Sequence, residues 1–165
     1  MEQMTTWESS GVGRKMKMGE FTRIRTGKLD ANASSANGKY PFFTCSRGPL
    51  RIETYSYDCE CVLVAGNGEL NAKYYNGKFD AYQRTYIIES IDKAQLSVPF
   101  LYRFLEHYVD TLQQQAIGGV IKYIKLGMLT DAEFVLPNME LQNQFVAFAQ
   151  QSDKSKYNAS QAMRL

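Results

Sequence analysis

Pro137 is the residue that most constrains how this chain can fold. A proline has no backbone N–H for a β-ladder and it restricts the preceding residue, Leu136, to an extended conformation, so a strand has to end here. Asn138 follows at a position where its side-chain oxygen can cap the start of a helix. The sequence therefore predicts that a short apolar strand at residues 134–136 stops at Pro137 and that a helix begins directly after it.

The helix predicted after Asn138 extends to the end of the chain. Its apolar and small side chains recur at spacings of three and four, which is typical of a helix with one partner-facing stripe. Residues 140–165 would span about 39 Å at a rise of about 1.5 Å per residue. We expect this helix to project from a domain and to pack its stripe on a partner helix. The stripe consists of Leu141, Phe145, Phe148, Ser152, Ala159 and Met163.

The rest of the sequence predicts a domain of the α/β class (α+β mixed), in which a twisted mixed β-sheet packs with helices. Apolar and aromatic runs between turn residues indicate strands at 21–24, 40–44, 50–57, 61–65, 70–75, 82–88, 120–124 and 134–136. Asn76-Gly77 is expected to form a hairpin turn and residues 15–20 a single helical turn. We expect a loose lead-in over residues 1–14, a domain over 15–137 and the long helix over 138–165.

One further helix is predicted after Ser97. Ser97 is a good N-cap, and Pro99 falls in the first turn, where its missing donor costs little. One face of the segment that follows is apolar, so this helix should cover the sheet. The face consists of Leu101, Phe104, Leu105, Tyr108, Val109 and Leu112.

Charge and cysteine content restrict the possible functions only loosely. The net charge is +2, but residues 14–28 carry six basic side chains against Glu20 alone, which is typical either of a phosphate-facing patch or of a solvated face. The odd number of cysteines, 3, suits a reducing compartment. The polar start and the lack of a long apolar window predict a cytoplasmic chain that does not enter a membrane.

No group of residues in the sequence forms a recognisable catalytic or metal site. His107 falls in the middle of the predicted helix, off its apolar stripe, and Cys45 has no neighbouring base that would lower its pKa. Cys59 and Cys61 alternate with Leu63, a pattern that indicates core positions of a strand rather than zinc ligands. We expect no catalysis, no metal and no cofactor in this chain.

Four segments resemble one known family. They are IRTGK at residues 24–28, YPFF at 40–43, FDAYQRTY at 79–86 and LPNMELQNQ at 136–144. Their order and spacing resemble a target-recognition domain joined to its spacer helix in the specificity subunits of type I restriction-modification systems. The resemblance covers residues 17–156. A full subunit of that family carries two such domains and two helices, whereas this chain has one of each, so the resemblance is to a half-subunit or to a fragment of a longer subunit.

The resemblance implies a non-catalytic DNA-recognition role. Each recognition domain of the family reads one half of a bipartite target. The spacer helices set the distance between the halves and dock the modification (methyltransferase) subunits, which bind S-adenosylmethionine and methylate adenine, while a separate restriction subunit cleaves. A chain with one domain and one helix is expected to form a homodimer through antiparallel C-terminal helices and so to read a palindromic split site.

Gln83 and Arg84 are the first choice for base contacts, because Gln can pair with adenine and Arg can take both acceptors of guanine. The alternative for this dipeptide is an exposed strand pair that makes surface salt links. Adjacent Tyr82 belongs to the same segment. Further candidates for base contact are Thr44, Ser46, Arg47, Asn67 and Gly68, and candidates for phosphate contact are Lys28, Lys39, Lys73, Lys78 and Lys122.

Two other functions stay open at this point. The chain could be the DNA-recognition domain of a fused restriction-methylation enzyme, although it contains no methylation motif of the Asp-Pro-Pro-Tyr type. It could also be a protein-binding adaptor that makes no DNA contact. A sequence-specific reader loses affinity steeply as salt rises and still discriminates sequences, whereas an adaptor is indifferent to both.

Overall fold

Eight strands and three α-helices make up the part of the chain that the structure, a computed structural model, describes: residues 13–163. The predicted lead-in over residues 1–14 therefore lies almost entirely outside the described residues. The strands are β1 (Arg14–Lys17), β2 (Thr22–Thr26), β3 (Tyr40–Phe43), β4 (Leu50–Ile52), β5 (Tyr57–Ala65), β6 (Ala72–Ala81), β7 (Thr85–Ser90) and β8 (Glu133–Leu136). The helices are α1 (Val98–Gln115), α2 (Leu126–Thr130) and α3 (Met139–Met163), and short 3-10 turns occupy Met18–Glu20 and Ala31–Ala33.

A six-stranded mixed sheet in the order β2-β7-β5-β6-β3-β4 forms the body of the domain. Only β3 and β6 pair in parallel, and a separate antiparallel pair joins β1 to β8. The main sheet also curls back on itself, because the backbone N–H groups of Lys28 and Leu29, which follow β2, donate to the carbonyl of Ala81 at the end of β6 (3.2 and 3.3 Å). This confirms the predicted mixed sheet packed with helices.

Two apolar clusters lie on either side of the curled sheet. The larger one joins Val62, Val64 and Ile88 of the sheet to the predicted apolar face of α1 and to the start of α3. The smaller one lies inside the curl and includes Cys61 and Phe79, both 0% exposed. Ser97 caps α1 as predicted, since its side chain accepts from the N–H of Phe100. Cys61 is a core residue as predicted, and Cys59 packs against the same cluster.

The junction at Pro137 is built as the sequence predicts. Strand β8 ends at Leu136, and the side-chain oxygen of Asn138 accepts from the N–H of Leu141 at 2.9 Å. The next turn holds a fully buried amide, Gln142. Its Nε2 donates to the carbonyls of Gln95 (2.7 Å) and Pro137 (2.9 Å), and its Oε1 accepts from the N–H of Ser97 (2.9 Å). One side chain therefore satisfies three backbone groups and fixes α3 to the start of α1.

Helix α3 divides into an anchored part and an exposed part. Phe145 packs edge-on against Phe100 with ring centroids 5.7 Å apart, and Arg103 donates to Asp153 at 2.7 Å. Residues 154–163 are all exposed and extend about 15 Å further. The prediction that Phe145 faces a partner is wrong, because this side chain completes the domain's own core. None of the helices in residues 13–163 is long and apolar enough to cross a membrane.

Several predicted local elements are wrong, because pairing between strands that are distant in the sequence determines the structure at these positions. Asn76 and Gly77 do not form a hairpin turn but lie inside β6, opposite Glu60 and Cys59 of the long strand β5. Residues 15–20 are helical only in their second half: residues 15–17 belong to β1, which pairs with β8, and a 3-10 turn occupies Met18–Glu20. Of the predicted strand over 50–57, only residues 50–52 (β4) and residue 57, the start of β5, are strand, and residues 120–124 contribute only isolated bridges at Tyr123.

We expect Gln142→Ala to lower the free energy of unfolding by at least about 2 kcal/mol, because it leaves three backbone groups without their partner in a buried site. Gln144→Ala, an exposed position two residues further along α3, is the control and should change stability by about 0.5 kcal/mol or less. Urea denaturation followed by circular dichroism measures both. Equal effects of the two variants would show that the buried amide is not a main support of the junction.

Candidate nucleic-acid interface

The side chains of Gln83 and Arg84 project from the tight turn that joins β6 to β7. Both are exposed, and the turn is closed by a hydrogen bond from the N–H of Thr85 to the carbonyl of Tyr82 at 2.9 Å. The alternative in which these residues form an exposed strand pair is wrong, because the strands end on either side of them. A turn presents both side chains outward, which suits contact with a ligand.

The backbone of this turn is held by three other segments. Tyr82 donates its N–H to Phe43 (2.9 Å) and Gln83 donates to Leu29 (2.9 Å), while the carbonyl of Arg84 accepts from Gly66 (2.8 Å). Each of the three partners lies at the end of a different strand: Phe43 ends β3, Leu29 follows β2 and Gly66 follows β5. The turn is therefore rigid at its base although its side chains are exposed.

Two glycines make this close packing possible. A Cβ atom at Gly66 would lie 2.3 Å from the carbonyl oxygen of Arg84, and one at Gly27 would lie 2.3 Å from that of Ala81. Real Cβ atoms do not approach backbone atoms so closely, so any side chain here would force the turn away from its neighbours. By contrast, a Cβ at Gly48 would meet nothing within 4 Å.

The loop between β3 and β4 packs beside the turn and carries three predicted residues. Thr44 is buried, and its hydroxyl accepts from the N–H of Ser46 (3.2 Å), so it shapes the loop. Ser46 and Arg47 are exposed. The hydroxyl of Ser46 donates to Gly48 (2.8 Å), and Arg47 pairs with Glu69 at 2.7 Å. Arg47 is thus the residue of this loop that presents charge to solvent.

The connection between β5 and β6 contains the remaining predicted turn residues, Asn67 and Gly68. Gly68 has a φ of 71°, which favours glycine, and its N–H donates to the carbonyl of Lys122 at 2.8 Å. Asn67 forms a bridge with Tyr123. Lys122 is exposed, so the bond from Gly68 places a basic residue next to this loop.

A basic groove of about 510 Å³ opens beside these loops. Lys39, Arg47, Arg51 and Lys73 line it together with aromatic side chains such as Tyr75. Arg51 was not among the predicted residues, and its position in the short strand β4 offers no sequence signal. It donates to the carbonyl of Gly38 at 3.1 Å, which fixes its side chain against the loop before β3.

Lys73 is the most buried cation of the groove. Its ammonium donates to the carbonyl of Thr44 at 3.1 Å and lies 5.9 Å from the ring centroid of Phe43. Burial lowers the pKa of Lys73 to about 8; an electrostatic interaction with Cys45 opposes this shift, and a weaker one with the charge of Arg47 adds to it. A bound anion would favour the charged form and raise that pKa again.

Eleven of the thirteen predicted residues fall in one set of neighbouring loops, which we call the loop cluster: residues 27–29, 44–48, 66–69, 82–84 and 122, together with Lys73. Lys39 joins it through the groove. Lys78 does not join it through any of these bonds, because its ammonium lies over the ring of Tyr55 at 5.0 Å.

The basic run over residues 14–28 does not form one patch. Lys15 belongs to the separate β1–β8 pair and makes an ion pair with Glu133 at 3.0 Å. Arg25 makes one with Glu89 at 2.9 Å and stacks over Tyr57. Only Lys28 of this run enters the loop cluster, so the run as a whole gives no support to a phosphate-facing patch.

Residues 13–161 match the family model described as "Type I restriction modification DNA specificity domain". Over 125 residues, 76% of this chain, the sequence is 42% identical to the type I restriction enzyme EcoDI specificity subunit of Escherichia coli. The chain spans only 28% of that relative's length.

Two solved structures have the same fold. The S subunit of the type I restriction-modification system from M. genitalium superposes with a TM-score of 0.76 at 18% identity, covering 89% of this chain and 40% of that one. The HsdS subunit from Thermoanaerobacter tengcongensis superposes with a TM-score of 0.70 at 16% identity, covering 92% and 40%. At these identities the likeness concerns the fold alone.

We expect Gly66→Ala to destabilise the protein by about 1 to 3 kcal/mol, because its methyl group would have to displace the carbonyl of Arg84. Gly48→Ala is the matched control, since its methyl group meets open space, and it should leave stability within about 0.5 kcal/mol. The measurement is the midpoint of chemical denaturation. If the two alanine variants unfolded alike, the packing of the turn against residue 66 would not be a constraint.

Proposed function

The chain belongs to the family of type I restriction-modification DNA specificity domains, and on that basis we propose that it binds double-stranded DNA and reads part of a bipartite target sequence. The specificity-subunit family is non-catalytic, and catalysis lies in its partner subunits. We propose the same division of labour for this chain. Its partners would be modification (methyltransferase) subunits and a restriction subunit, in the cytoplasm where the DNA is.

The observation that carries the proposal is the β6–β7 turn, which fixes its backbone and exposes Gln83 and Arg84. Base reading requires donors and acceptors held in a defined position, because hydrogen bonds discriminate between base edges only when their geometry is fixed. Three backbone bonds from three other segments supply that fixation here. Arg84 would take both acceptors of a guanine, and Gln83 would pair with an adenine.

Cations around the turn suit contact with phosphates. Lys28 is exposed, and its backbone is bonded to Ala81 next to the turn. The groove with Lys73, Arg51 and Lys39 offers basic side chains in a concave setting, which suits a phosphate group of the DNA backbone. Such contacts supply affinity without sequence information. We therefore assign base reading to the turn and phosphate contact to Lys28 and the groove.

Within this proposal, residues 15–137 recognise the target and residues 138–165 act as a spacer and partner helix. These two parts of the chain differ in their proposed roles, but they pack together as one domain. Gln142 and Phe145, in the first turns of α3, are buried in the recognition domain itself. This anchoring would hold the exposed part of the helix at a constant angle to the loop cluster, as a measuring element requires.

We expect Arg84→Ala to remove discrimination at one base-pair position of the target, at about 1 to 3 kcal/mol, while other positions are still read. Methylation mapping in the native genome, compared with a strain that lacks the gene, identifies the target. Competition binding with singly substituted duplexes then measures the discrimination. Arg14→Ala, an exposed arginine of the β1–β8 pair, is the control. Full discrimination in Arg84→Ala would exclude the residue from the reading set.

The same titrations separate phosphate contact from base contact. Lys28→Ala should weaken binding to all sequences alike and reduce the slope of log K against log salt by about 1. A wild-type chain whose binding is indifferent to salt and to sequence would instead favour a protein-binding adaptor.

We also propose that the outward stripe of α3, from Phe148 to Met163, packs antiparallel on α3 of a second copy. The outward residues of the predicted stripe support this: Phe148 is 55% exposed and Met163 88%, with Ala159 exposed between them. Phe148→Glu combined with Ala159→Glu should shift the molecule toward the monomer in sedimentation velocity, whereas Asn143→Glu, at an exposed position of α3 outside the stripe, should not. A wild-type chain that sediments as a monomer at every concentration would exclude this pairing.

A further inference from the structure

Two apolar side chains stand out from the surface between α1 and α2. Val120 is 103% exposed and Ile121 is 69% exposed, side by side in residues 116–125. We call these two residues the apolar tip. Large aliphatic side chains that protrude together are costly in water and mark contact sites when they are held in place.

The loop that carries the apolar tip has a defined shape. Ile117 and Tyr123 exchange both backbone hydrogen bonds, at 2.9 and 2.8 Å, and so close the loop at its base. Gly118 adopts a φ of 116°, a conformation that other residues rarely take, which lets the chain turn directly after the base. The apolar tip is therefore presented by a closed loop rather than by an open segment.

Backbone bonds join this loop to the turn that carries Arg84. Gly68 donates to the carbonyl of Lys122 at 2.8 Å, and Ile124 donates to the carbonyl of Gly66 at 3.0 Å. Gly66 in turn donates to the carbonyl of Arg84 at 2.8 Å. A continuous series of backbone hydrogen bonds thus links the loop that carries the apolar tip to the turn that carries Arg84.

The charges around the apolar tip suit a polyanion. Residues 116–125 contain Lys122 and Lys125 and no acidic residue. A groove of about 410 Å³ separates the tip from residues 68–69, and the carboxylate that lines it, Glu69, is paired with Arg47 at 2.7 Å. A phosphate backbone could therefore pass along this surface without meeting an uncompensated negative charge.

We propose that Val120 and Ile121 make an apolar contact with the bases of the DNA, beside the positions that Arg84 reads. This inference rests on the proposed function. The chemical group that they contact is an apolar base surface, which a duplex offers either as a thymine methyl group in the major groove or as the face of a base at an opened step. In both cases the contact adds affinity and local sequence preference but neutralises no phosphate.

The test compares Val120→Ser combined with Ile121→Ser against the control Ile91→Ser, an exposed isoleucine in the loop between β7 and α1. Each protein is the full chain co-expressed with its modification subunits. It is titrated over a salt series with a duplex that carries the site found by methylation mapping. The double variant should lose about tenfold or more in affinity, because two aliphatic side chains are no longer buried on binding.

The salt slope identifies the kind of contact. It should be unchanged in the double variant, because an apolar contact releases no counterions, and Ile91→Ser should bind as the wild type does. Replacing thymines by uracil one at a time locates a methyl contact: affinity falls for the wild type at one position but not for the double variant. A rise in 2-aminopurine fluorescence on wild-type binding, absent in the double variant, locates an opened step.

Three outcomes would overturn the inference. The double variant binds and discriminates as the wild type does, or Ile91→Ser loses as much affinity, or the double variant keeps its DNA affinity and fails only to co-purify with the modification subunits. The third outcome would assign the apolar tip to a protein contact. Failure of the proposed function looks different, because the wild-type complex itself would then show no binding that depends on salt and sequence. Unchanged urea midpoints of the variants exclude misfolding as the cause of any loss.

Discussion

The amide of Gln142 is the interaction on which the arrangement of the whole molecule depends. It bonds to backbone groups of Gln95, Ser97 and Pro137, which belong to the approach to α1, the start of α1 and the end of β8. These groups lie where elements end, so their hydrogen bonds cannot be satisfied by a helix or a sheet. Because the amide supplies them inside the core, α3 leaves the domain in one direction only.

The loop cluster is also held together by hydrogen bonds between separate segments. Here main-chain groups supply these bonds, and not a side chain. Its loops contact one another through bonds such as Gly66 to Arg84 and Gln83 to Leu29. Glycine at positions 27 and 66 allows the chains to approach within hydrogen-bonding distance. Helix α3 and the loop cluster therefore belong to one packed domain, to which Arg103 and Asp153 add an ion pair further along α3. The proposed reading of a split target would require such a fixed relation between the two.

The sequence predicts those features that depend on local chemistry. Pro137 ends a strand, Asn138 and Ser97 cap helices, and alternation across Cys61 indicates a buried strand, all through interactions within a few residues. Prediction from the sequence fails where contacts between residues that are distant in the sequence determine the structure. Asn76-Gly77 has the chemistry of a turn but is held in β6 by β5, and helical spacing shows that Phe145 belongs to a stripe without showing which partner covers it. The candidate residues could be named from the sequence, but their positions in neighbouring loops depend on the curl of the sheet.

In the loop cluster, the atoms that hold the fold differ from the atoms that we propose to read DNA. At the turn, the bonds to Phe43, Leu29 and Gly66 are made by main-chain atoms of residues 82–84, and those atoms are common to every amino acid except proline at the donors. Changing the side chain at position 83 or 84 leaves these bonds in place. Changing Gly66 does not, because its missing Cβ is part of the packing. Under the proposed function, the loop cluster could therefore alter its base preference by substitution at exposed positions without loss of the fold that presents them.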